Sequence, residues 1–314
     1  MFSNHASRAS TPDSMSVVPS LWVLRDVFVN LYYAAVAPAQ PQGPWVLIDA
    51  GLPGSAGKIQ RRANEVFWAT PPVAILLINS YLNHVSALPG LLAAWQGAHV
   101  HPHPLELPCL TSRSSYPPPN PTVSGGAMAY LSFLYPKKLL NLGPRVQALL
   151  ADGSVPGLPC WRWLHTPGHT FGHVSFSREE DRVLVAGDAF TTVVERPAGL
   201  VPEVAATGHD IAMHGPALRE QLLQLARKFD EVARPKIGRY VHTPATADAS
   251  GVRSVPPPVA TPWAKGLLVA GALASVALLL ARGTQKKRRS AKSANKLQNP
   301  DRYAERARRQ RPAD

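Results

Sequence analysis

Polar residues of metal-binding type recur where strands of this chain should stop and loops begin. Asp49 ends Trp45-Val-Leu-Ile-Asp49, and Asn79-Ser-Tyr-Leu-Asn-His84 follows the apolar run Ala74-Ile-Leu-Leu-Ile78. Further on come His165-Thr-Pro-Gly-His169, Arg182-Val-Leu-Val-Ala-Gly-Asp188, and His209. Imidazoles and carboxylates converging at strand ends are what a two-metal hydrolase needs. They hold a pair of divalent ions, which generate hydroxide near neutral pH and polarise a carbonyl or phosphoryl group. One histidine at a strand end means little; five such positions in order mean more.

The intervening sequence supplies the elements to position them. Leu21–Tyr33 is rich in β-branched and aromatic residues and predicts one or two strands. Trp45–Asp49 predicts a strand closed by the turn Gly51-Leu-Pro-Gly54, and Gly57–Phe67 a helix. Ala74–Ile78 predicts a buried strand, and Val85–Trp95 a helix with Pro89 in its first turn. Val174–Phe176 and Arg182–Asp188 read as strands. In Pro216–Val232, Leu218, Leu222, Leu225, Phe229 and Val232 recur at spacings of four and three, giving one apolar face to pack on a sheet. Strands alternating with helices indicate an α/β arrangement. Residues 101–125 read as a lid-like or surface loop, with His101 and His103 solvated.

Val46-Leu-Ile-Asp-Ala-Gly51, the stretch around His84, Thr166-Pro-Gly-His-Thr-Phe-Gly-His173, Ala186-Gly-Asp188 and Thr207-Gly-His209 resemble the five ordered motifs of the metallo-β-lactamase superfamily. The resemblance spans residues 20–245. It implies a four-layer αββα sandwich with the site on one edge, here followed by a C-terminal hydrophobic helix. The family's second motif is His-x-His-x-Asp-His; this chain has Asn79, Tyr81 and Asn83 in place of its first three functional residues and keeps His84. By the resemblance, a first metal would use positions 79, 81 and 169, and a second positions 83, 84 and 209, with Asp188 bridging. His84, His169, Asp188 and His209 therefore remain as metal ligands. Asp49, Asp188 and His169 are the catalytic candidates, Asp49 by orienting a ligand. His173 is placed behind the ligands or facing substrate.

A complete structural zinc site is worth roughly 10–16 kcal/mol in model peptides, so losing two of four ligands forfeits about half of that. The first site is therefore expected to be lost. Two histidines and one carboxylate remain a recognised ligand set for the second. The expectation is zinc or another divalent metal, at most one ion, or none. Thr191–Gly199 is also too short for the helix that such sequences place between Asp188 and His209, which puts the reach of His209 in question.

Charge and hydropathy concern the C-terminus. From Arg282 to Asp314 there are 12 Lys and Arg against 3 Asp and Glu, a surplus of 9; the other 281 residues carry 21 against 17, a surplus of 4. Nucleic acid is thus an unpromising partner for the folded part. The chain divides into a leader (1–15), the lactamase-like domain (16–246), a Pro-rich linker (247–262), a hydrophobic segment (263–282) and a basic tail (283–314). With Trp263 and Lys265, the uncharged run Gly266–Ala281 approaches the roughly 20 residues that span a bilayer. A single-pass membrane protein is expected, its tail on anionic lipid headgroups. The polar Met1–Met15 lacks the pattern of a secretory signal, which places the domain on the cytoplasmic side. Cys109 and Cys160 are read as reduced thiols.

Three functions compete. The first is a membrane-anchored hydrolase-like protein with a degenerate site, close to a pseudoenzyme. The second is a single-metal hydrolase of an ester, thioester or lactone using His84, Asp188 and His209. The third is a non-catalytic membrane-surface or nucleic-acid-binding protein acting through its tail. The small-molecule substrate is not readable.

Overall fold

A computed structural model describes residues 14–36, 42–120, 140–189, 201–209, 211–232 and 236–258. The hydrophobic segment 263–282, the basic tail, most of the leader and residues 190–200 lie outside the described residues. Among the described residues, no helix is long and apolar enough to cross a membrane.

The first sheet takes its strands in chain order: β1 (Ser14–Val18), β2 (Leu21–Asp26), β3 (Val29–Ala35), β4 (Trp45–Ile48), β5 (Ala74–Leu76) and β6 (His99–His101). β1 to β4 pair antiparallel; β4, β5 and β6 pair parallel. The second sheet holds β7 (Ser154–Val155), β8 (Leu158–His165), β9 (Val174–Arg178), β10 (Val183–Gly187), β11 (Val204–Thr207) and β12 (Met213–His214). Within it β10 and β11 run parallel, the other pairs antiparallel.

The apolar runs of β3, β4 and β5 serve two cores because side chains alternate along a strand. Leu31, Tyr33, Trp45, Leu47 and Ile75 join α1 (Ala56–Phe67) and α3 (Leu88–Ala94) in one cluster. Tyr32, Ala34, Val46, Ile48 and Leu76 face the other way and meet Trp161, Val174, Phe176, Val183 and Val185 of the second sheet. α1 presents Ile59, Ala63 and Phe67 at spacings of four, and Phe67 stacks on Trp45 with ring centroids 4.5 Å apart. Truncating a buried aromatic of this kind costs about 3–5 kcal/mol.

The stretch Val85–Trp95, read as a helix, holds α3 with Pro89 in its first turn, and the short helix α2 (Leu82–Val85) precedes it. A further turn, α4 (Leu107–Leu110), follows β6. The long helix α5 (Pro216–Val232) buries Leu218, while Leu222, Leu225 and Phe229 of the same stripe are half-buried. The start of the Pro-rich segment is structured: β13 (Thr246–Asp248) and β14 (Gly251–Ser254) form a hairpin. Its turn is made by Asp248, whose carboxylate accepts the Ser250 N–H at 2.8 Å, and the hairpin docks through Val252 N–H to Ser114 Oγ at 3.0 Å. The linker reading missed this Asp-Ala-Ser-Gly turn beside the prolines.

Candidate metal centre

The strand ends of both sheets meet at one edge, around Asp188. This residue follows β10 and is 1% exposed. Its carboxylate lies 3.0 Å from His84 Nε2 and 3.4 Å from His169 Nε2 through Oδ2, and 3.4 Å from His209 Nε2 through Oδ1. The short connection after Asp188 thus does not keep His209 away. A glycine makes the approach feasible: a Cβ at Gly208 would lie 2.3 Å from Asp188 Oδ1.

The rings of His84 and His209 are oriented from behind. His84 Nδ1 is 2.7 Å from Asp49 Oδ2, and Asp49 Oδ1 accepts the Ile78 N–H at 2.9 Å. Asp49 is fully buried at φ +66°, a left-handed conformation rare outside glycine. His209 Nδ1 lies 2.6 Å from the carbonyl oxygen of Phe28, and the two rings stack. His173 is used differently. Its Nε2 accepts the Asp188 N–H at 3.1 Å, and its Nδ1 lies 2.8 Å from Thr166 Oγ1. With that lone pair engaged, His173 supports the backbone of Asp188 from behind.

The charges follow this geometry. Burial opposes protonation of His84, but the carboxylates of Asp49 and Asp188 outweigh it and push its pKa up to about 10. Burial would raise Asp188, yet His84, His169 and His209 hold its carboxyl well below the usual carboxylate range. Burial raises Asp49 against the pull of His84. His169 is lowered by burial, and His173 is lowered to about 3 by burial and then by His169.

The three replaced positions behave unlike ligands. Asn79 is fully buried; its Nδ2 donates to Asp188 Oδ2 at 3.2 Å and its Oδ1 accepts the Tyr81 N–H at 2.9 Å. The amide oxygen, the atom Asn could offer a cation, is turned to the Tyr81 backbone, and the NH₂ is turned to Asp188. The Tyr81 ring packs edge-on to His169 at 5.0 Å and beside Tyr116 at 4.5 Å; burial raises its hydroxyl pKa. Asn83 and Tyr81 line a cavity of about 570 Å³ together with Leu82, Val85, Tyr116 and Pro117.

Do these residues fit a metal? A tetrahedral site with arms of about 2.0–2.1 Å has donor–donor edges of about 3.3–3.4 Å. The separations of His169 and His209 Nε2 from the carboxylate match that spacing, and that of His84 Nε2 is shorter, at 3.0 Å. As the side chains stand, no group of three or more His, Cys, Asp or Glu among the described residues is arranged to hold an ion. The donor chemistry fits one divalent cation and does not fit two, because positions 79 and 81 offer an N–H donor and an un-ionised phenol.

Two groups were passed over in the sequence. His103, read as solvated, is 8% exposed and stacks on His165 at 4.2 Å, while its Nδ1 accepts the Leu105 N–H. Glu106 is 1% exposed and lies between the Asn79 and His169 loops. The available signal was a lone acid in Pro104-Leu-Glu-Leu-Pro108, where a solvated charge would not be flanked by leucines. Cys109 and Cys160 are both free thiols.

Comparison with known proteins agrees with this geometry. The family profile described as metallo-beta-lactamase superfamily matches residues 25–243. A protein of Bacillus subtilis (strain 168) named "Probable metallo-hydrolase YflN" is 36% identical over 236 residues, covering 65% of this chain and 88% of that protein. Among solved structures, a B3 metallo-beta-lactamase with an active-site glutamic acid aligns with TM-score 0.52 at 16% identity, covering 71% of this chain and 91% of that one. A beta-lactamase domain protein from Burkholderia ambifaria aligns with TM-score 0.50 at 18% identity, covering 72% and 78%. At such identities these two structures speak for the fold alone.

Proposed function

The chain belongs to the metallo-beta-lactamase superfamily, and from that premise we propose a hydrolase-like protein with an impaired site, anchored to a membrane. The site would hold at most one divalent ion, zinc or another, through His84, Asp188 and His209, and would hydrolyse esters, thioesters or lactams slowly or not at all. The observation that carries this reading is Asn79. Its amide N–H points at the carboxylate that would bridge two cations, and its oxygen is taken by Tyr81 N–H.

A second reading keeps some turnover, and the convergence of three Nε2 atoms on Asp188 favours it. A divalent cation bound there would supply Lewis acidity and acidify a water. The chain's own groups would do the rest. Asp49 holds the His84 ring in place, His173 fixes the backbone at Asp188, and neutral His169, 29% exposed, is available to take a proton.

Elemental analysis of the purified full chain separates these readings from an intact dinuclear enzyme. The unmodified protein is expected to carry one ion or none. The combined substitutions Asn79→His, Tyr81→His and Asn83→Asp should raise the content toward two. Two tightly bound ions in the unmodified chain, or robust turnover abolished by a chelator, would overturn the impaired-site reading.

The anchor rests on the uncharged run Gly266–Ala281 and the basic residues that follow it. Its partners would be the bilayer and anionic headgroups, the latter attraction weakening as salt rises. Recovery of the intact chain entirely in the soluble fraction without detergent would remove this part of the proposal.

A further inference from the structure

Glu106 occupies a position that no metal-ligand motif calls for. It ends the single turn Pro104–Glu106 after β6, and its side chain is buried. Such a carboxylate normally costs several kcal/mol unless donors surround it. Here there are four. Oε2 accepts the Ser80 N–H at 3.0 Å and the Tyr116 hydroxyl; Oε1 accepts the Thr170 hydroxyl at 2.7 Å and the Gly172 N–H at 2.9 Å.

Three of the four donors belong to the two loops that face each other across Asp188. Ser80 lies between Asn79 and Tyr81, and Thr170 directly follows His169. A second connection runs through the aromatic rings: Tyr116, bound to Glu106, packs on Tyr81, which packs edge-on to His169. His169 is thus held through Thr170 and Gly172 of its loop and through its ring, and both lines end on one carboxylate. Gly172 is part of the device, since a Cβ there would lie 2.6 Å from Glu106 Cγ and 2.9 Å from Oε1.

We infer that Glu106 is the positioning residue of this site, a charge-assisted staple that sets the Asn79–Tyr81 loop and the His169 loop against each other with no ion required. The inference deepens the one-metal reading by assigning what holds the vacated half in shape, and its test does not depend on metal.

The test is residue-resolved hydrogen exchange of the Ser80 and Gly172 amides in the full chain. Removing a charge-assisted hydrogen bond should speed exchange roughly tenfold or more. Glu106→Ala should loosen both loops. Glu106→Gln should loosen one loop and spare the other, because an amide keeps only one acceptor oxygen while its NH₂ faces an N–H donor. Tyr116→Phe leaves the carboxylate in place but removes the hydroxyl that also accepts the Ser80 N–H, at 2.9 Å; it should speed Ser80 alone and covers the case in which Glu106→Ala fails to fold. Unchanged exchange at both amides in Glu106→Gln, or a rise spread evenly over the domain, would overturn the inference, as would an effect of Tyr116→Phe on Gly172 equal to that on Ser80. Metal content measured alongside judges the one-metal reading separately.

Discussion

The two sides of Asp188 differ in kind. On one side His84 and His209 present ring nitrogens, each ring oriented by a hydrogen bond that its other nitrogen donates, to Asp49 and to the Phe28 carbonyl. On the other side His169 stands beside an amide and a phenol, and the polar atoms of Asn79 are paired with Asp188 and with Tyr81 N–H. Both sides hang on the same sandwich edge and the same carboxylate. The comparison teaches that two sides of one backbone frame can carry different side-chain chemistry when the buried polar groups find partners.

The largest effect should come from removing what the sides share. Asp188→Asn leaves a buried, protonated His84 without one of its two counter-charges and should cost about 3–5 kcal/mol in denaturant unfolding, with loss of any bound metal. Unchanged stability would mean that neither side depends on this carboxylate. Asn79→Ala should cost less, about 1–3 kcal/mol, because it strips hydrogen bonds from Asp188 and Tyr81 without touching His84 or His209. Metal content should stay the same; if the ion were lost with Asn79, the division between the sides would be wrong.

The smallest effect lies behind the His169 loop. Burial, and then the neighbouring His165, lower the pKa of His103 to about 4, against about 6.5 in an unfolded chain. Neutral His103 therefore contributes stability above about pH 6.5 that is lost as pH falls toward about 4, since the unfolded chain takes up the proton first. His103→Asn keeps an acceptor for the Leu105 N–H and should flatten this acid limb of a stability-versus-pH curve. An unaltered limb would place the acid sensitivity elsewhere.

Much of this frame was legible from residues alone. The two-sided cores follow from unbroken apolar runs such as Tyr32–Ala35 and Trp45–Ile48, and the ligand positions from polar residues at strand ends. What resisted reading was partnership across the fold. Nothing in Pro104-Leu-Glu-Leu-Pro108 tells which groups will surround Glu106, since its donors lie 10, 26 and 64 to 66 positions away. His103 misled for the same reason: its cover is His165, which a loop composition cannot reveal. The linker failed at Asp248–Gly251, a local turn whose anchor, Ser114, is remote.

The distribution of the site between the sheets has a consequence for how the protein comes into being. Asp49, Asn79 and His84 follow strands of the first sheet; His169, Asp188 and His209 belong to the second. The two are stitched at this edge by β3, where Asn30 Nδ2 and the Tyr32 hydroxyl both donate to the Thr207 carbonyl, at 2.9 and 2.5 Å. During synthesis the growing chain therefore carries Asp49, Asn79 and His84 through 85 residues before His169 emerges, and through 104 and 125 before Asp188 and His209. Contacts of such long sequence separation form slowly. A cation bound at Asp188 would find its donors together only once both sheets have met.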